Sequence, residues 1–153
     1  MSSNQVVSNN EVNVRIRVRY AECDAQNVVF NARYADYADI AATEYIRALI
    51  GDYNNLLNAG FDNQVVSMHI DWIASAKFDD ILNLKVSLHH VGNSSFTLLT
   101  QCSKVEDEHN LPIAEMKIVY VVVDNTIFKK SPIPKILKDN FIREFSIFVN
   151  QAG

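Results

Sequence analysis

The sequence predicts an α+β domain in which a five-stranded antiparallel sheet wraps around one long central helix, with a short helix at the C-terminal end. Three observations predict it: residues 12–20 alternate without a break, residues 31–50 carry an apolar stripe at helical spacing, and four later runs lose that spacing and end in tight turns. The order of one strand, the long helix, four strands and a short helix is that of an α+β chain rather than of repeated βα units.

The first strand places Val12, Val14, Ile16, Val18 and Tyr20 on one face and Asn13, Arg15, Arg17 and Arg19 on the other, as a half-buried strand requires. Residues 1–10, rich in Ser, Asn and Gln, have little to bury and are expected to form a disordered tail, leaving a single domain over residues 11–150. Beyond a short polar break, Tyr34, Tyr37, Ala38, Ala41, Ala42, Tyr45, Ala48 and Leu49 recur at offsets of three and four, and Gly51 is a C-cap candidate. The later strands are expected near residues 64–75, 81–91, 94–105 and 113–124. Gly92-Asn93 and the polar residues 106–112 are turn signals, so the last three should form an antiparallel meander. Residues 118–123, apolar at every position, predict a strand covered on both faces. Ser131 and Pro132, or Pro134 at a first helical position, open the last helix, with Ile136, Leu137, Phe141, Ile142 and Phe145 on its apolar stripe.

Bulk properties exclude several function classes. At 153 residues the chain can bury a full core, and a net charge of -4 supplies no field to attract nucleic acid or an anionic membrane. No basic, apolar leader and no run near the roughly 20 residues needed to span a bilayer is present, so a cytoplasmic location without membrane insertion is expected. The two cysteines, Cys23 and Cys102, are read as reduced thiols in that setting. Five strands on a central helix is the hotdog architecture, whose exposed sheet edge is covered by pairing with a second copy; a homodimer or homotetramer is expected.

One segment carries chemistry. YAECDAQNVVFNARYADYADIAATEYIR resembles the signature of the 4-hydroxybenzoyl-CoA thioesterase family, with Asp24, Val28, Val29, Phe30 and Tyr34 on the family's positions. VVSMHIDWIASAKFDDILNLKVSL resembles the family's second and third strands, residues 131–138 its proline-rich approach to the last helix, and the resemblance covers residues 12–146. It implies an acyl-CoA thioesterase in which Asp24 is the catalytic carboxylate, either nucleophile through a mixed anhydride or general base on water. It also implies that the Asn31 backbone N–H polarises the thioester carbonyl; free N–H groups and the positive end of a helix dipole stabilise a developing oxyanion on physical grounds alone. Val29, Phe30 and Tyr34 would line the acyl pocket, and Ser94 and Ser95, in the turn that resembles the family's CoA-contacting turn, would touch the carrier. No cofactor or metal is implied, CoA being part of the substrate.

Two positions depart from the family. Its glycine is Asn27 here, which fits if the position demands positive φ, since Asn is the best non-glycine residue for the left-handed region. Its arginine in the turn before the fourth strand is Asn93, which removes one expected phosphate contact.

Blander readings stand beside these. From composition alone Asp24 is an Asx-turn or cap residue. Glu44 is a helix carboxylate beside the apolar stripe, better read as a partner of Arg47, and Asp36 and Asp39 as surface charges. His69, Asp71 and Cys23 lack any diagnostic spacing, and His89 and His90 should point to opposite faces. Arg15, Arg17 and Arg19 form a ladder that could attract the CoA phosphates, but read rather as the solvated face of an edge strand or as an intersubunit surface. Two other functions remain open: a non-catalytic acyl-thioester binder, and a hydroxyacyl-thioester dehydratase, which typically uses a His with a carboxylate although no His precedes or lies within the long helix.

Overall fold

The structure, a computed structural model, describes residues 9–153. Strand β1 (Asn10–Arg17) leads through a 3-10 turn (Tyr20–Glu22) to the long helix α1 (Arg33–Ile50) and a second, six-residue helix α2 (Tyr53–Asn58). Four strands follow, β2 (Phe61–Trp72), β3 (Ile81–Val91), β4 (Ser95–Val105) and β5 (Asn110–Asp124), then α3 (Lys135–Phe141) and β6 (Phe145–Asn150). They form one six-stranded sheet in the order β2-β5-β4-β3-β1-β6. All neighbours are antiparallel except β1 and β6, which are parallel.

The core lies where α1 crosses the sheet. Tyr34, Tyr37, Ala38, Ala41, Ala42, Tyr45 and Leu49 are buried against inward residues such as Val12, Val14, Leu84, Val86, Leu98, Met116 and Ile118. The three alanines let the helix lie close to the strands, while the tyrosines fill the space beside them and donate their hydroxyls to polar partners, Tyr37 to Glu22 Oε1 at 2.9 Å and Tyr45 to the buried Asn10 Oδ1 at 2.6 Å. Each fully buried Leu or Ile contributes on the order of 2 kcal/mol by leaving water. Gly51 ends α1 with φ 85° and donates its N–H to the Arg47 carbonyl at 2.8 Å, as a C-cap does.

Several expectations are corrected. The sheet has six strands rather than five, one pairing is parallel, and α2 adds a third helix. The residues expected to extend the last helix leave it: Ile142 is 76% exposed and Phe145 opens β6, whose Phe145, Ile147 and Val149 alternate inward. Phe141 and Phe145 are four apart, so the short run satisfies both periods, and only pairing along β1 decides it. The first strand ends at Arg17; Val18 keeps a ladder bond to the Asp80 carbonyl, and Tyr20 turns out, 76% exposed, against Phe78. With β6 alongside, β1 is not an edge strand. Its arginines are engaged singly rather than as a ladder: Arg15 lies over the Phe148 ring, Arg17 bonds Asp79 and the Ala152 carbonyl, and Arg19, beyond the strand, pairs with Glu22. Of the expected tail, residues 1–8 lie outside the described residues, whereas Asn10 is buried in β1 and donates to the Phe141 and Arg143 carbonyls.

Candidate active site

Residues 23–29 form a miniature hairpin. Cys23 bridges Val29, the Asp24 N–H donates to the Val28 carbonyl at 2.9 Å, and the Asn27 N–H donates to the Asp24 carbonyl at 2.9 Å. A three-residue turn of this kind needs its last residue in the left-handed region, and Asn27 has φ 68°. The substitution of Asn for the family's glycine is thus accounted for by backbone conformation. The hairpin is pinned from outside: the Val29 N–H donates to the Ala76 carbonyl, the Phe30 N–H to the Glu22 carbonyl, and Glu22 is held by Arg19 and Tyr37.

Asp24 caps its own turn. Its Oδ1 accepts from the Gln26 N–H at 2.8 Å, the Asx geometry of the bland reading, and this bond also fixes the carboxylate plane. Oδ2 has no partner among the described residues. The carboxylate is half-buried and lines a cleft of about 450 Å³. Val29, Phe30, Asn31 and Tyr34 line the same cleft. Val29 and Tyr34 form its buried floor, and burial, the largest cause, pushes the Tyr34 hydroxyl up to about 12, so it stays neutral at physiological pH.

The start of α1 opens into this cleft. Ala32, at the N-cap, has helical angles and no side-chain cap. The N–H groups of Arg33, Tyr34 and Ala35 donate to the carbonyls of Phe30, Asn31 and Ala32, leaving those of Asn31 and Ala32 without a partner among the described residues. Two free donors at the positive end of an 18-residue helix suit an oxygen that gains negative charge.

Ser94 and Ser95 are not part of the cleft. Ser94 lies in the turn after β3 and Ser95 opens β4; the first residue of β3 follows the Asp80 loop beside Val18, whereas its last leads into Gly92. Eleven residues of strand put about 35 Å between those ends. At the far end Gly92, Asn93, Ile133 and Lys138 line a separate cavity of about 310 Å³. What the sequence reading missed is Trp72, Ile73, Ala74 and Ser75, which complete the Asp24 cleft from the end of β2. The available signal was the one tryptophan of the chain, at the edge of a run expected to continue as strand to residue 75. Its indole N–H donates to the Asn31 carbonyl at 3.2 Å.

Other candidates resolve as follows. Glu44 accepts from Arg47 at 2.6 Å and from Gln151 at 3.0 Å, a structural pairing. Asp36 pairs with Arg33, while Asp39, exposed, lines a small cavity of about 210 Å³ with Tyr53, Asn63 and Tyr120. His89 and His90 do share a cavity, with His69 and Lys117, against the expectation of opposite faces: the register of β3 against β4 shifts between Leu88 and His90, and a bulge breaks the alternation. Among the described residues no group of three or more His, Cys, Asp or Glu is placed to hold a metal ion. Both cysteines are free, and among the described residues no helix is long and apolar enough to cross a membrane.

Comparison with known proteins bears on the same region. The sequence model of the thioesterase-like superfamily matches residues 18–141. An acyl-CoA thioesterase YbgC of Haemophilus influenzae is 32% identical over 127 residues, 82% of this chain and 90% of that protein. A 1,4-dihydroxy-2-naphthoyl-CoA thioesterase from Synechocystis superimposes with a TM-score of 0.76 at 19% identity, over 86% of this chain and 95% of that one. A 4-hydroxybenzoyl-CoA thioesterase variant complexed with 4-hydroxybenzoyl-CoA gives 0.78 at 15% identity, over 86% and 98%. At such identities the two structures speak for the hotdog fold alone.

Proposed function

Since the chain belongs to the thioesterase-like superfamily and is thereby a thioester hydrolase, we propose that it cleaves acyl-CoA to the free acid and CoA, with the Asp24 carboxylate and the Asn31 N–H as its working groups. The observation that carries this reading is their common cleft: a carboxylate with one oxygen held by Gln26 and the other unpaired among the described residues, lining the same cleft as Asn31, whose N–H at the helix start has no partner among those residues. A thioester carbonyl oxygen placed on the Asn31 N–H gains charge stabilisation as the carbonyl carbon becomes tetrahedral. In the general-base route, Asp24 Oδ2 takes a proton from water while the water oxygen bonds to that carbon; the C–S bond then breaks, and the leaving sulfur of CoA takes that proton from Asp24, which restores the carboxylate. In the nucleophilic route Oδ2 itself bonds to the carbon, the thiolate leaves, and water hydrolyses the mixed anhydride. Phe30, at 48% exposure, and the buried Tyr34 and Val29 offer the acyl group an apolar seat.

The reading extends to a cytoplasmic homodimer or homotetramer. Strand β2 is a sheet edge with Val65, Val66 and Met68 exposed, which favours pairing with a second copy. A two-fold axis across β2 reverses strand direction, bringing the partner's turn at Ser94 and Ser95 towards this chain's Asp24 end. Such an arrangement removes the 35 Å separation (about eleven residues of strand), since one substrate would meet the carboxylate of one copy and the turn of the other.

The test is release of free thiol from short-chain, long-chain and aromatic acyl-CoAs, with Asp24→Asn run alongside. Turnover should fall by at least about a thousandfold in the variant, the scale on which loss of an essential base or nucleophile is felt. Unchanged turnover in a variant with an unchanged melting temperature would sink the proposal. CoA binding without hydrolysis by the parent protein would favour a non-catalytic binder instead.

A further inference from the structure

We propose that Trp72 is a positioning residue for this reaction, acting through its indole N–H on the Asn31 carbonyl; the inference rests on the reading of Asp24 and Asn31 given above. Three observations carry it. First, the start of α1 has no side-chain cap, and the chain is tied on either side of a loose point: the Phe30 N–H is held by the Glu22 carbonyl and the Arg33 N–H by the Phe30 carbonyl, while the N–H groups of Asn31 and Ala32 are held by nothing among the described residues and the backbone bond to the Asn31 carbonyl, from the Tyr34 N–H, is long at 3.4 Å. Second, the contact from Trp72 Nε1, 3.2 Å from the Asn31 oxygen, is the one side-chain hydrogen bond from another element to that point among the described residues. Third, Trp72 is 53% exposed and stands outside the buried core cluster, so its ring is not there to fill the interior.

Asn31 carries two opposed dipole ends. Its N–H is the donor an oxyanion needs, whereas its carbonyl is a negative end that would repel the same oxyanion if it swung into the cleft. A donor that holds the carbonyl fixes the backbone on both sides of the residue and neutralises part of that negative end. Stabilisation of transition-state charge depends on donors already aimed before reaction, so the tie should appear in kcat rather than in substrate binding. Trp72 also lines the cleft with Asp24, so its tie is made at the rim of the reacting site and not at a distance.

Because the chain holds one tryptophan, the test removes a single hydrogen-bond donor. Biosynthetic replacement of tryptophan by benzothienylalanine puts sulfur where the indole N–H was and leaves ring size nearly unchanged. With an acyl-CoA that the parent protein turns over, kcat should fall roughly three- to tenfold, the effect of one net hydrogen bond. KM and the melting temperature should stay as in the parent. Trp72→Phe should lower kcat similarly, with a rise in KM from the lost ring area. An unchanged kcat in the benzothienyl protein overturns the proposal, as does a loss of kcat matched by a lower melting temperature. Asp24→Asn, measured in parallel, separates the two levels: if it retains turnover the underlying reading has failed, and if it is inactive while the benzothienyl protein is unimpaired only the role of Trp72 has.

Discussion

Asn27 shows how one backbone angle can govern a site. Its φ of 68° closes the small hairpin that carries Asp24, and the Asn27 N–H returns to the Asp24 carbonyl. An L residue with a Cβ and no compensating polar side chain loses about 1–2 kcal/mol in that region, and a β-branched one more. Asn27→Gly should therefore keep both melting temperature and turnover, whereas Asn27→Val should lower the melting temperature by several degrees and turnover more steeply, because the carboxylate rides on the turn. Thermal denaturation and thiol release on the two variants check this; equal behaviour of Gly and Val would mean the angle is not a constraint. At this scale the positive φ of Asn27 and the nearness of Asp24, Asn31 and Tyr34, which line one cleft, were legible in the sequence because they belong to a local run of eleven residues joined by one turn. Trp72 was not, since its partner is Asn31, forty-one residues away in the chain, and nothing in the local pattern of β2 announces that contact.

Elements set the limits of what one copy can do. Strand β2 is exposed over most of its length, with a register shift between Val65 and Ser67 that leaves Val66 turned outward at 58% exposure. Edge strands of this apolar character invite pairing, and a lysine there disfavours it. Val66→Lys should shift the protein towards monomer in sedimentation velocity and reduce turnover in proportion, if the partner's turn completes the substrate site. A dimer that persists, or a monomer of full activity, would remove β2 pairing from the proposed function. The C-terminal strand β6 carries the other lesson at this scale. Residues 145–150 have a two-residue alternation, but Phe141, Ile142 and Phe145 also fall at helical spacings, and six residues are too few for period alone to choose. The choice is made by β1, whose free side accepts a parallel partner, and by Arg143, which donates to the Leu49 carbonyl at 2.9 Å and turns the chain away from α3.

For the molecule as a whole, the core between α1 and the sheet makes alkali its weak side. Burial raises the Cys102 thiol from its ordinary value near 9 to about 12 and the Tyr34 hydroxyl from 10 to about 12, and it raises Tyr37 and Tyr45 as well. The unfolded chain releases these protons first, so above pH 9 it binds fewer protons than the folded chain and unfolding becomes easier as pH rises. The melting temperature should be insensitive to these groups below pH 9 and should fall progressively between pH 9 and 12. Cys102→Ala should delay the onset towards pH 10, where the tyrosines begin to act. Melting curves across that range check both statements, and a flat profile to pH 11 would contradict them.

Whatever depends on neighbours in the chain could be read from the residues alone: the long helix with its alanine and tyrosine stripe, the meander of three strands, the left-handed turn at Asn27 and the segment that marks a thioester hydrolase. Those follow from period, turn chemistry and local hydrogen bonding, which a run of residues contains in full. The folded arrangement is needed to bring β6 against β1, to gather His89 and His90 at a bulge, to set Trp72 against Asn31, and to put Ser94 and Ser95 at the opposite end of β3 from Asp24. Each of these depends on strand register and on which segments the sheet brings side by side. A shift of one residue in register exchanges one face of a strand for the other, so the pairing partners, which lie far off in the chain, settle it.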